Sequence, residues 1–87
     1  MIVTVMYFAW VREKIGISKE VIDTNAKTVN ELILELNGKG ENYKIAFSKM
    51  DEIKVALDQD LADFESPLLG VNEVAFFPPM TGGGKWI

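Results

Sequence analysis

Thr28 to Gly38 reads TVNELILELNG, and this stretch decides the architecture. Thr28 and Glu31 stand three apart just before an apolar run, the spacing of a capping box. The Thr28 hydroxyl is placed to accept from the Glu31 amide, and Glu31 to reach back toward the helix start. Val29, Leu32, Ile33 and Leu36 follow at i, i+3, i+4 and i+7, which gathers them on one helix face. Gly38 is a suitable stop. A helix this short with one apolar face is not stable alone. It needs a partner surface, and its flanks supply strands.

Upstream, Ile2 to Phe8 (IVTVMYF) is rich in β-branched and aromatic residues and reads as a strand. It shows no clean polar face, which places it centrally in a sheet. Ala9 to Ile15 reads as a turn of helix closed by Gly16, and Ser18 to Asp23 as a returning second strand. Downstream, Glu41 to Ser48 is ambiguous, with a short helix over the sheet edge as one reading, using Tyr43, Ile45 and Phe47. Ile53, Val55 and Leu57 alternate with Lys54, Ala56 and Asp58, the pattern of a half-buried strand. Asp58-Gln59-Asp60 reads as a turn and Leu61 to Phe64 as a short strand ended by Ser66-Pro67. Gly70-Val71-Asn72 turns into a last strand, Glu73 to Phe77, which Pro78-Pro79 stops because proline cannot donate to a ladder. The order predicts an α+β roll: a mixed sheet with one main helix packed on it. A right-handed crossover would set the first and last long strands side by side. Residues 1–79 form the domain on this reading, and residues 80–87 a flexible glycine-rich tail.

Composition narrows the chemistry. With 87 residues the prior is one domain with one core. There is no cysteine, which removes thiolate nucleophiles, disulfides and cysteine-based metal sites. There is no histidine, so the usual base near neutral pH and the commonest metal ligand are missing. An enzyme acting alone is therefore disfavoured, and no metal site is expected. The net charge of −4 comes with scattered cations, which argues against nucleic acid, since phosphate contacts need clustered Lys and Arg. No apolar run is long enough to span a bilayer. The start, Met-Ile-Val-Thr-Val, lacks a basic region before an apolar one, so a cytoplasmic protein is expected.

The tail is Met80-Thr81-Gly82-Gly83-Gly84-Lys85-Trp86-Ile87. Three glycines in a row are a poor way to build a core. They make either a frayed end or a thread that passes a narrow channel and presents a backbone carboxyl group to another protein. TGGGK is not a phosphate-binding loop: Pro79 stands where that motif needs glycine, and Trp86 where it needs a hydroxyl. Phe8, Phe76 and Phe77 fall on the two strands placed together, with Trp10 just beyond. Period 2 sends Phe76 and Phe77 to opposite faces, so one can be core and the other an interface anchor.

The opening VMYFAWVREKIG and the closing PLLGVNEVAFFPPMTGG resemble the molybdopterin synthase small subunits, the ubiquitin-like β-grasp sulfur carriers. AFFPPxxGG is fairly specific within those carriers, and the resemblance covers nearly the whole chain. It implies a β-grasp fold and a C-terminal glycine that is adenylated with ATP by a ubiquitin-activating-like adenylyltransferase. The acyl adenylate then becomes a thiocarboxylate. The tail enters the large subunit of the synthase, where the sulfur passes to a pterin precursor in molybdenum cofactor biosynthesis. No tightly bound cofactor is implied, because the ATP is used by the partner enzyme. Counted from Pro78-Pro79, the family's Gly-Gly falls on Gly82 and Gly83, with Gly83 bearing the adenylate or thiocarboxylate. Phe8, Phe76, Phe77, Pro78, Pro79, Met80 and Thr81 are then the expected partner-binding residues. The family normally ends at Gly-Gly, whereas here Gly84 to Ile87 follow. Their length, roughly 13 Å when extended, and the bulk of Trp86 suit no glycine channel, so removal by a processing protease is expected. The alternatives are a non-catalytic ubiquitin-like interaction module or modifier, or a thiazole-type sulfur carrier.

Overall fold

The computed structural model describes residues 1–79. The elements run β1 (Ile2–Tyr7), α1 (Ala9–Ile15), β2 (Lys19–Asp23), α2 (Val29–Asn37), α3 (Glu41–Phe47), a 3₁₀ turn (Met50–Glu52), β3 (Lys54–Leu57), β4 (Asp60–Ala62) and β5 (Glu73–Phe77). The strands order as β2-β1-β5-β3-β4. β1 and β5 pair in parallel and the other neighbours are antiparallel, so the sheet is mixed and its first and last strands are adjacent. The tail, residues 80–87, lies outside the described residues.

α2 forms as its sequence dictates. The Thr28 hydroxyl accepts from the Glu31 amide at 3.3 Å. Glu31 reaches back one residue further than a capping box requires, and its Oε1 accepts from the Lys27 amide at 3.0 Å. Val29, Leu32, Ile33 and Leu36 are all buried in the core. Burying a side chain of this size contributes about 1.5–3 kcal/mol, so this face fixes the helix on the sheet. Gly38 closes the helix in a right-handed conformation; its amide donates to the Glu35 carbonyl at 3.1 Å and the Lys39 amide to the Leu36 carbonyl at 2.9 Å.

Two further helices cover the same sheet face. α1 ends at Gly16, whose φ of 100° is left-handed and suits glycine. The Glu41–Phe47 segment is a helix, which settles the ambiguous stretch. It buries Tyr43, Ala46 and Phe47, while Ile45 is half exposed. Ile45 stands two residues from both Tyr43 and Phe47, a spacing that faces strand neighbours but not helix neighbours.

The β3–β4 hairpin turns earlier than the sequence suggests. Asp58 and Gln59 both take positive φ, 50° and 74°, leaving Asp60 as the first residue of β4. Two positive φ values match the twist of a tight hairpin, and aspartate tolerates that conformation. The Asp58 carboxylate then accepts from the Asn72 and Glu73 amides at 3.0 and 2.8 Å, which anchors the start of β5. β4 stops at Ala62, short of the expected Phe64. The chain instead turns to satisfy the open amides at the start of α2: the Phe64 carbonyl accepts from Asn30 and the Ser66 carbonyl from Val29. This strap carries Leu68 into the core, fully buried.

Candidate functional site

The sheet has two unlike faces. Along β1, Val3, Val5 and Tyr7 point into the core under the helices, and the partially buried Thr4 and Met6 point the other way. The parallel register sets Tyr7 beside Phe76, and the Phe8 amide donates to the Phe76 carbonyl at 3.0 Å. The exit of β5 is thereby held against the exit of β1.

Phe76 is a core residue, not an exposed anchor. It has no exposed surface, stacks on Tyr7 with centroids 6.2 Å apart, and meets Phe47 edge-on at 5.0 Å. The expectation that it contacts a partner is therefore corrected: the pleat turns it under α3. Phe77 points to the opposite face, where it is 8% exposed. It lines a depression and does not protrude.

That depression is a groove of about 680 Å³ on the face opposite the helices. Ala56 and Ala75, a cross-strand pair on β3 and β5, both line it. Two methyl groups side by side leave a hollow where larger residues would stand. Met6, Phe8, Phe77 and Leu61 form its apolar walls, and Lys54, Gln59 and Glu73 add polar groups. Pro79 borders it at the end of the described chain. Of the expected partner-binding residues, Phe8, Phe77 and Pro79 thus meet at one groove, and Pro78 is half-buried beside them. Met80, Thr81, Gly82 and Gly83 lie outside the described residues. Met6, Ala56, Leu61 and Ala75 were not singled out from the sequence. Their signal was strand alternation, but which alternate residues share a face across β1, β3, β4 and β5 depends on pairing register.

A part-buried polar cluster gathers on Glu20 of β2. Tyr7 and Tyr43 both donate to Oε2 of Glu20 at 2.8 Å, and Lys39 lies 3.4 Å from Oε1. Burial first, and then the Glu20 carboxylate, pushes the Tyr7 phenol far up. The same causes push Tyr43 up to about 12. Such phenols stay protonated near neutral pH and make poor bases or nucleophiles. The cluster ties β1, β2 and α3 together. Among the described residues no group of His, Cys, Asp and Glu is placed to hold a metal ion, and no helix is long and apolar enough to cross a membrane.

Comparison with known proteins gives this geometry a context. The ThiS family matches residues 5–83. The molybdopterin synthase sulfur carrier subunit of Haemophilus influenzae is 35% identical over 79 residues, covering 91% of this chain and 96% of that protein. The protein of the same name from Escherichia coli is 33% identical over 81 residues, covering 93% and 99%. Among solved structures, SAMP1 from Haloferax volcanii superposes with a TM-score of 0.71 at 22% identity, over 95% of this chain and all of that one, a likeness of fold. The fold and the family agree with the resemblance read in the sequence. The chain belongs to the ThiS family, as a ubiquitin-like β-grasp sulfur carrier of the kind found in molybdopterin synthase.

Proposed function

We propose that this chain carries sulfur as a thiocarboxylate on Gly83, after hydrolysis of the Gly83–Gly84 amide, and delivers it within a complex with the large subunit of molybdopterin synthase. The observation that carries this reading is the end of the family match: it runs to Gly83 and stops short of Gly84 to Ile87. Gly83 lies four residues beyond Pro79, where the groove meets the end of the described chain. A partner seated on the groove would have Gly82 and Gly83 within reach of its own active site.

The chain contributes a carboxylate and a thread, and its partners contribute the reactions. Water splits the Gly83–Gly84 amide under a protease, leaving a Gly83 carboxylate. A ubiquitin-activating-like adenylyltransferase joins that carboxylate to AMP from ATP, releasing pyrophosphate. Hydrosulfide attacks the acyl carbon and AMP leaves, which gives the thiocarboxylate without any change of oxidation state. Sulfur transfer to the pterin precursor, with water replacing it on the acyl carbon, returns the carboxylate. No cofactor resides in the carrier, and the ATP belongs to the adenylyltransferase. Glycine suits the end of the thread because it lacks Cβ and adopts conformations other residues avoid.

An adenylation assay with the adenylyltransferase and labelled ATP tests the reading on three chains: full length, ending at Gly83, and ending at Gly84. Only the chain ending at Gly83 should take up AMP. Uptake by the Gly84 form would shift the register by one, and uptake by the full-length chain would end the threading argument. Uptake by none would favour a ubiquitin-like interaction module instead.

A further inference from the structure

The sheet ends in β2 on one side and β4 on the other, and the two edges differ. β4 is only three residues long. β2 has five, and Lys19 to Asp23 match β1 one for one, with no bulge and no proline to blunt the edge. Hydrogen bonds at either end of this pairing fix which backbone groups face out. The Tyr7 amide donates to the Ser18 carbonyl at 2.9 Å, and the Thr24 amide to the Met1 carbonyl at 2.8 Å. Antiparallel bonding alternates along a strand, so Glu20 and Ile22 turn their backbone groups toward β1. The amides and carbonyls of Lys19, Val21 and Asp23 point away from the sheet. The side chains of these three residues are exposed on the face opposite the helices, Val21 by 69%. Val21 thus stands midway between a cation and an anion, each two residues away. Glu20, on the other face, already has Tyr7, Tyr43 and Lys39 as partners.

We propose that the β2 edge pairs with the β2 edge of a second copy of this chain, antiparallel about a two-fold axis at Val21. Such an axis sets Val21 against Val21 of the second copy, and each Lys19 against the other copy's Asp23. All three positions carry outward amides and carbonyls, so each facing pair exchanges backbone hydrogen bonds. Two Lys–Asp pairs then flank one valine contact. Charge selects this arrangement. A parallel pair in register would bring Lys19 to Lys19 and Asp23 to Asp23. An antiparallel pair slipped by two residues would leave Lys19 or Asp23 facing Val21. The edge is its own electrostatic complement, which names a second copy as the occupant. The Met1 ammonium lies 3.4 Å from Oδ1 of Asp23, whose side chain stays 79% exposed. No β2 residue lines the groove, so the pairing leaves the groove open and does not depend on the sulfur-carrier reading.

A single strand edge is a small interface, so the dimer should be weak and reversible. Small-angle X-ray scattering of the full chain, in a dilution series reaching millimolar concentration, should show the mass rising toward twice the monomer. Val21→Pro removes an outward amide that β1 does not use, so the chain should fold, as urea melts check, and stay monomeric. Lys19→Asp and Asp23→Lys each bring like charges together twice per dimer and should weaken association about tenfold. The double variant Lys19→Asp/Asp23→Lys restores opposite charges and should recover it. A monomer at every concentration overturns the proposal, and so does a double variant that associates no more tightly than the single ones. Leu61→Glu, in the groove, should leave the dimer intact; its loss there would assign the contact to the groove and also overturn the proposal. Failure of adenylation at Gly83 would count against the sulfur-carrier reading alone.

Discussion

Phe76 and Phe77 are consecutive, yet they stand on opposite faces of β5: Phe76 is sealed between Tyr7 and Phe47, and Phe77 lines the groove on the far side. One dipeptide thus joins the core to the face proposed for docking, and its two halves have separable effects. Phe76→Ala should lower unfolding stability by about 3–5 kcal/mol through the cavity it leaves. Phe77→Ala should weaken large-subunit binding by about 2 kcal/mol, read by calorimetric titration of cleaved protein. Leu34, exposed on the outer side of α2, is the control. If Leu34→Ala weakens binding as much as Phe77→Ala does, the groove is not the docking site.

The α2 face carries the fold. Leu32 is fully buried, and Leu34, two positions on, is 71% exposed. Leu32→Ala should cost about 2–5 kcal/mol, whereas Leu34→Ala should stay within about 0.5 kcal/mol. Urea melts at neutral pH measure both. Similar losses for the two variants would contradict the packing described.

Removing the helix cap should have a smaller and local effect. Thr28→Ala deletes the hydroxyl that accepts from the Glu31 amide and should cost about 0.5–2 kcal/mol. Thr28→Ser, which keeps an acceptor, should recover most of that loss. A Ser variant no better than Ala would show that the cap bond contributes nothing.

The tyrosine pair on Glu20 predicts alkaline sensitivity. The folded state holds the Tyr7 and Tyr43 protons more tightly than the unfolded chain does. Their contribution is complete below the ordinary tyrosine pKa of about 10. It declines as pH rises, for Tyr43 through about 12. Thermal melts between neutral pH and strong base should show this decline, and Tyr43→Phe should flatten it by removing one of the two titrating groups. An unchanged slope in Tyr43→Phe would rule out the linkage.

Much of this was legible in the sequence because the signals were local. The α2 cap and its apolar spacing, the Glu73–Phe77 strand and the Gly16 stop all depend on residues within a turn or two of each other. What escaped detection depended on distant partners. Ile45 faces outward because α3 is a helix, one of the readings that Glu41 to Ser48 left open, and its apolar residues alone did not say which of them would be buried. β4 ends early because Phe64 and Ser66 serve the amides of α2, more than thirty residues upstream. The groove arises from Ala56 meeting Ala75, and neither alanine is notable until the β3–β5 register puts them together.

The central claim is that Gly83 becomes the terminal, sulfur-bearing residue. Intact-mass measurement of the protein isolated from its native cell tests it most directly. The account predicts a species ending at Gly83, part of it heavier by the difference between oxygen and sulfur. Finding only chains that retain Gly84 to Ile87, with no species ending at Gly83, would contradict it.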